Sequence, residues 1–282
     1  MVRALAGTAG GSGAVAGAPV TLLAIESATD MVGVALIRDD AGEAERVHLG
    51  GRAHAELLAP AIAEVCAVSG CTIGDIDALA VDRGPGLFTG LRVGVATAKA
   101  LGQALGLGVL GVSSLDVLAA AAHGRCGTEP ARRVVSVVDA RRGEVFAAAF
   151  RFDRWPAASG PIDPASVRDD RLEPIDPATL VDWLVGIAAE AGPVVVVGDG
   201  AVRYRQLLSV HPSLDLDLAA ELSAPPPLAL GRLALERLAL GAEALAPGDL
   251  VPDYRRHADA RINWEQRAPR VPGAGEPGHR RT

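Results

Sequence analysis

The hydrophobic pattern in the first half of the chain predicts three strands followed by alternating helices and strands. Val20–Glu26 is a continuous apolar run, typical of a strand covered on both faces, and Met31–Ile37 and Glu43–Leu49 are predicted as the next two strands. The remaining predicted elements are helix Arg52–Ser69, strand Asp77–Val81, helix Gly90–Gly106, strand Val109–Val112 and helix Ser113–Ala122. The order is therefore β-β-β-α-β-α-β-α.

The second half repeats this plan in shorter form. Its predicted elements are strands Arg133–Asp139, Glu144–Phe152 and Pro193–Gly198 and helices Ala178–Ala191, Ala201–Ser209 and Leu228–Leu240, with a long loop over 153–177. We therefore predict an α/β fold of two tandem units with mixed sheets. The units are residues 20–124 and a smaller one at 125–224, with helix 228–240 packing back on the first. Residues 1–19 and 262–282 are predicted to be disordered.

The stretch Val81–Gly106 is rich in glycine, both in a predicted loop and in the predicted helix that follows it. The loop glycines are Gly84, Gly86 and Gly90, and small residues then recur every fourth position at Gly90, Gly94, Ala98, Gly102 and Gly106. Each helical glycine costs about 1 kcal/mol relative to alanine, so another interaction must offset them. Two interpretations stay open: a phosphate cradle at a helix N-terminus capped by Thr89, or a tight turn before a closely packed helix.

Composition and charge exclude several classes of function. The formal net charge of −7 argues against a broad nucleic-acid-binding face, and no apolar run is long enough to span a membrane. Cys66, Cys71 and Cys126 lack the C-x-x-C spacing of zinc sites and favour reduced thiols in a cytoplasmic protein. A peptidase is the least favoured enzyme, because neither H-E-x-x-H nor G-x-S-x-G occurs.

Six separated blocks, in order, resemble the TsaB family, the non-catalytic subunit of the bacterial tRNA threonylcarbamoyladenosine machinery. They are LLAIESATDMVGVAL (Leu22–Leu36), RAHAELLAPAI (Arg52–Ile62), GPGLFTGLRVGVATAKAL (Gly84–Leu101), VVDARRGEVFAA (Val137–Ala148), GDGA (Gly198–Ala201) and VPDYRR (Val251–Arg256). The resemblance implies two actin-like ATPase units of the RNase H-like kind. It also implies pairing with the paralogue TsaD, access to the ATPase TsaE through that complex, and a homodimer when the chain is alone. ATP and magnesium are then used by the partners, and tRNA is met only within the complex.

The resemblance also implies that the chemistry of the paralogue is missing here. TsaD holds a metal with two histidines of a V-N-H-L-E-G-H segment, and Ser114 and Leu118 occupy the corresponding positions. Leucine has no lone pair for a metal, so we expect no metal site and no catalytic residue. His54 has no helical histidine partner and is expected to play an ordinary structural role.

Possible vestigial contacts to a nucleotide or its phosphates remain. They are Glu26, where the family usually has Asp, with Ser27, Thr29, Gly84, Gly86, Gly198 and Gly200. The second hairpin turn, Asp139–Gly143, contains two arginines and leaves open either anion binding or a solvated turn.

Two predicted helices carry more apolar or small residues than one buried face needs, which favours a partner surface. The predicted interface consists of Leu57, Ala61, Glu64, Val68, Arg92, Val95, Ala98, Lys99 and Gly102. A pseudo-enzyme scaffold is therefore the favoured function, and Ala61→Arg or Ala98→Arg is expected to abolish pairing without unfolding the chain. The alternative is an ATP-dependent kinase or transferase of the actin-like clan that acts alone.

Overall fold

The computed structural model describes residues 20–38, 42–50, 53–126, 133–152, 164–217 and 219–255. The first sheet has the order β3-β2-β1-β4-β5. Its strands are β1 (Thr21–Glu26), β2 (Val32–Arg38), β3 (Gly42–His48), β4 (Ala78–Asp82) and β5 (Val109–Val112). The first three strands are antiparallel neighbours, whereas β4 is parallel to β1 and β5 is parallel to β4.

The second sheet repeats this topology. Its strands are β6 (Arg133–Arg141), β7 (Glu144–Arg151), β8 (Arg168–Ile175), β9 (Val194–Val197) and β10 (Leu214–Asp215), in the order β10-β9-β6-β7-β8. Again three antiparallel strands are extended by two parallel ones. The α/β fold of two tandem units with mixed sheets is therefore confirmed.

Two parts of that prediction need correction. The second sheet has as many strands as the first, so this unit is not reduced in its sheet. The predicted loop over 153–177 contains β8, an edge strand that pairs only with β7 among the described residues. Its sequence, RDDRLEPI, lacks the apolar alternation that identifies a half-buried strand. The predictions for 1–19 and 262–282 lie outside the described residues.

The helices cover the sheets in layers. They are α1 (His54–Val68), α2 (Phe88–Leu105), α3 (Ser114–Cys126), α4 (Pro177–Ala191), α5 (Asp199–Arg203), α6 (Arg205–Leu208) and α7 (Pro227–Ala239). One face of the first sheet packs on α1 and α2, and the other packs on α3 and α7. This two-sided cover explains why β1 is buried throughout. The described residues contain no helix whose length and apolarity would let it cross a membrane.

A buried carboxylate fixes α3 to neighbouring elements. Asp116 accepts hydrogen bonds from Arg168 Nη1 at 3.1 Å and Arg237 Nη2 at 2.7 Å. These contacts join α3 to the first residue of β8 and to the last turn of α7. Because α3 also contributes Leu115 and Leu118 to the core of the second sheet, it is the helix that both halves share.

Candidate functional site

The glycine loop packs directly against the turn between β1 and β2. Leu87 N donates to Ala28 O at 2.6 Å, and Ser27 Oγ donates to Gly90 O at 2.9 Å. A Cβ at Gly86 would overlap the carbonyl group of Ala28, and one at Gly90 would overlap the carbonyl oxygen of Ser27. Close approach of two backbone segments therefore explains these glycines. The cap prediction is wrong, because α2 begins at Phe88 with Leu87 at the N-cap and no side-chain cap bond.

The corresponding glycines of the second half have the same role. A Cβ at Gly198 would overlap the carbonyl oxygen of Val137, and one at Gly200 would lie 2.6 Å from Val137 Cγ1. Gly198 also faces a methyl group of Leu118, which is fully buried in the core. Both Gly198 and Gly200 thus allow α5 to start close to β6.

Thr29 and His54 complete the packing of the first turn. Thr29 Oγ1 accepts a hydrogen bond from Met31 N at 3.3 Å, and Thr29 O lies 2.8 Å from His54 Nε2. His54 is buried at the start of α1 and lies against Gly90. The ordinary structural role expected for His54 is confirmed.

Two buried carboxyl groups meet where β1 and β4 end. These parallel strands are paired through Ile25 and Val81, so Glu26 and Asp82 follow as neighbours, and both are inaccessible to solvent. Glu26 Oε1 accepts from Ala28 N at 2.8 Å, whereas Asp82 Oδ1 accepts from Gly84 N at 2.7 Å and from Ser114 Oγ at 2.6 Å.

The other two oxygens of this pair, Glu26 Oε2 and Asp82 Oδ2, have no donor among the described residues. Burial raises the pKa of both groups, and contact with Asp82 raises the pKa of Glu26 further. A proton retained between the carboxyl groups supplies the missing donor, because two ionised carboxylates in contact repel each other. The hydrogen-bonding needs of Glu26 and Asp82 are therefore met within the fold.

This retained proton makes stability depend on pH. Unfolding returns Glu26 to its ordinary pKa of 4.5. The contribution of this proton to the free energy of unfolding is therefore fully present below that pH and is lost as the pH rises toward the higher pKa of the folded state. Glu26→Gln replaces the proton with an amide donor. We expect it to raise the free energy of unfolding near about pH 8 by about 1–3 kcal/mol.

Urea unfolding of the unmodified chain and of Glu26→Gln at about pH 5 and about pH 8 measures this effect. Between these two pH values the free energy of unfolding should fall less in Glu26→Gln. An identical loss in the two proteins would contradict a retained proton at Glu26.

A second polar cluster bridges the two halves. Asp139 accepts from Arg141 Nη1 at 3.1 Å and from Arg203 Nη1 at 3.2 Å, while Asp139 N donates to Asp199 Oδ1 at 2.8 Å. Burial raises the pKa of Asp199 to about 6. Arg141 Nη2 also donates to Asp30 Oδ2 at 3.0 Å, which links the second hairpin turn to the first. Arg141 is therefore already paired with two carboxylates of this chain.

The two positions that correspond to metal ligands of TsaD, Ser114 and Leu118, are both engaged within the fold. Ser114 is bonded to Asp82, and Leu118 belongs to the hydrophobic core. In the part of the chain that the structure describes, His, Cys, Asp and Glu form no group of three or more able to hold a metal.

The predicted partner interface is only partly accessible. Ala61, Val95, Ala98 and Gly102 are buried between the helices and the first sheet, so the prediction that they contact a partner is wrong. The small residues of α2 instead admit other parts of this chain: a Cβ at Gly102 would lie 2.9 Å from Pro247 Cγ. Ala61→Arg and Ala98→Arg should therefore disrupt the core rather than leave the fold intact.

The other predicted interface residues remain near the surface. Glu64, Val68 and Arg92 are exposed, with 66% of Val68 accessible, and Leu57 is half-buried. Lys99 is half-buried, and its Nζ donates to Leu250 O at 3.0 Å.

Sequence patterns missed an exposed aromatic cluster, which we define as Phe88, Arg92 and Tyr254. The Arg92 guanidinium lies 3.8 Å from the centre of the Phe88 ring, and Arg92 Nε donates to Tyr254 Oη at 3.1 Å. The rings lie 5.1 Å apart and are 51% and 45% exposed. Asp253 N donates to Arg83 O at 2.7 Å, which brings the C-terminal segment to α2. The block VPDYRR identifies Tyr254 in the sequence, but nothing in the sequence indicates that this residue lies beside α2.

The repeated sheet topology defines an α/β protein of the actin-like fold, with two tandem units. Residues 48–156 match the family model for TsaD, tRNA N6-adenosine threonylcarbamoyltransferase. An uncharacterized protein of Mycobacterium tuberculosis is 34% identical over 245 residues, covering 86% of this chain and 94% of that protein. The tRNA threonylcarbamoyladenosine biosynthesis protein TsaB of Bacillus subtilis is 28% identical over 249 residues, covering 87% and 98%.

A solved structure of YeaZ from Pseudomonas aeruginosa superposes with a TM-score of 0.65 at 27% identity, covering 83% of this chain and 99% of that one. The chain belongs to the TsaB family. The resemblance carried by the six sequence blocks is thereby confirmed.

Proposed function

We propose that this chain is a non-catalytic subunit in tRNA threonylcarbamoyladenosine synthesis that acts by pairing with TsaD. TsaE is then reached through the TsaD complex, ATP and magnesium are used by the partners, and tRNA is bound only by the complex. The observation that carries the proposal is that the glycine loop, the Glu26–Asp82 pair and Arg141 are each engaged by other groups of this chain.

Membership of the TsaB family supports a role in tRNA threonylcarbamoyladenosine synthesis, and the contacts that engage these groups within the chain support a role without catalysis. Phosphate binding at a glycine loop needs free N–H groups and room beside them. Here the turn at Ser27 and Ala28 lies against that loop, and the N–H of Leu87 in the loop already donates to Ala28 O. A magnesium ion needs ionised carboxylates, whereas burial raises the pKa of both Glu26 and Asp82. These features disfavour the alternative, an ATP-dependent kinase or transferase acting alone.

We assign pairing to the exposed side of α1 and α2, centred on the aromatic cluster. Aromatic and arginine side chains are enriched in the residues that dominate binding energy at interfaces. Arg92 is held between Phe88 and Tyr254 before any partner arrives, so little side-chain entropy is lost on binding. Leu57, Glu64, Val68 and Lys99 are the accessible members of the predicted interface that would extend this area. A homodimer would use the same surface and compete with TsaD.

Arg92→Glu is expected to weaken binding of TsaD by about a hundredfold or more, because it removes the stacked cation and reverses its charge. Titration calorimetry with purified TsaD measures the loss. Arg125→Glu makes the same charge change at an exposed position on α3 and should retain binding within about threefold. Equal affinities of the Arg92 variant and the unmodified chain would contradict this interface.

Co-purification with TsaD of the same organism tests the function itself. We expect a stable complex and no ATP hydrolysis by the isolated chain. Failure to associate, together with ATP hydrolysis by the chain alone, would favour the kinase or transferase alternative.

A further inference from the structure

Helix α1 ends in a Schellman motif that brings two cysteines together. Gly70, with a φ of +62°, donates its N–H to Ala67 O at 3.2 Å, and Cys71 N donates to Cys66 O at 3.0 Å. These two bonds define the motif, in which the residue after the left-handed position contacts the residue five positions before it. Those two residues are Cys71 and Cys66.

The two thiols differ in their surroundings. Cys66 is buried and Cys71 is half-buried, both are free thiols, and Cys71 packs against the hydrophobic cluster that contains Cys66. Burial raises the pKa of Cys66 to about 11, and the neighbouring Cys71 contributes in the same direction. Cys71 is thus the thiol that solvent reaches.

We propose that Cys66 and Cys71 form a reversible thiol–disulfide couple that is oxidised by peroxides. The Cys71 thiol releases its proton, and its thiolate attacks an oxygen of hydrogen peroxide. The O–O bond breaks, a sulfenic acid forms on Cys71, and the departing hydroxide takes up the released proton to become water. The Cys66 sulfur then attacks the Cys71 sulfur, the S–O bond breaks, and the Cys66 proton leaves with the hydroxide as a second water. Two thiols and one hydrogen peroxide become one disulfide and two waters.

The backbone favours this bond over oxidation of either thiol alone. A disulfide requires Cα atoms about 4.4–6.8 Å apart and side chains that face each other. The Cys71 N to Cys66 O hydrogen bond, 3.0 Å long, folds the chain back so that the two residues are neighbours, and Cys71 packs against the cluster that contains Cys66. The couple closes the last turn of α1 onto the segment that leads to β4. It does not depend on pairing with TsaD.

The test uses the full chain carrying Cys126→Ser, so that only this pair remains. After reduction and treatment with hydrogen peroxide, alkylation and intact mass spectrometry count the free thiols. We expect both thiols to disappear together, with a mass lower by two hydrogens, and to return with dithiothreitol. Adding Cys66→Ser is the matched control, in which Cys71 should stop at a sulfenic acid that dimedone traps.

Three outcomes would overturn the proposal. These are a Cys71 sulfenic acid that dimedone still traps, with Cys66 a free thiol, after the peroxide has been removed; a disulfide between two chains; or retention of both thiols under conditions that oxidise Cys71 in the Cys66→Ser variant.

Discussion

Gly90→Ala is expected to lower the free energy of unfolding by about 3 kcal/mol, although alanine is the better helix former by about 1 kcal/mol. The new methyl group would overlap the carbonyl oxygen of Ser27, which is backbone and cannot rotate away. Accommodating it requires α2 to move from the β1–β2 turn, which breaks the Ser27 Oγ to Gly90 O bond. Urea or thermal unfolding measures the change.

Gly186→Ala is the matched control for this substitution. Gly186 also lies inside a helix, α4, but a Cβ there meets no heavy atom within 4 Å. We expect this variant to be more stable than the unmodified chain by about 0.5–1 kcal/mol. Stabilisation by both substitutions would mean that the loop leaves room at Gly90, as a phosphate cradle would.

Asp116→Ala is expected to destabilise the fold by about 3–5 kcal/mol, the cost of removing one partner from a buried ion pair. Asp116 is 3% exposed and accepts hydrogen bonds from Arg168 and Arg237, both largely buried. Its loss leaves two guanidinium groups in a buried site without this carboxylate. Denaturant unfolding should therefore show a lower midpoint.

The control for Asp116 is an ion pair at the surface. Arg125 Nη1 lies 3.2 Å from Glu221 Oε2, and both side chains are exposed. Glu221→Ala should change stability by less than about 1 kcal/mol, because water and salt screen this pair. If Asp116→Ala and Glu221→Ala lowered the free energy of unfolding by similar amounts, Asp116 would not be what fixes α3 to β8 and α7.

Local patterns were enough for elements with a strong apolar signal. Strands β1 and β2 are mainly apolar because helices cover both faces of their sheet, and α1 differs from its prediction by only one or two residues at each end. Strand β8 gave no such signal. Its charged sequence is held by edge pairing with β7, which depends on tertiary structure rather than on local pattern.

The same limit applies to the candidate site. A run of small residues predicts close packing but not the partner, and in α2 that partner is this chain, with Ser27 against Gly90 and Gly94 and Pro247 against Gly102. The small-residue pattern of this helix predicts an external contact for Ala98, whereas the prediction for Ala61 comes from the surplus apolar residues of helix Arg52–Ser69. The contact between Glu26 and Asp82 depends on the register of two strands distant in sequence, which no single segment encodes.

The molar mass of an equimolar mixture of this chain and TsaD, measured by light scattering without added nucleotide, tests the central claim most directly. The account predicts the mass of a heterodimer for the unmodified chain and for Arg125→Glu. It also predicts the masses of uncomplexed proteins for Arg92→Glu, whose fold should be intact by circular dichroism. Separate masses for the unmodified chain and TsaD would contradict a function exerted through pairing.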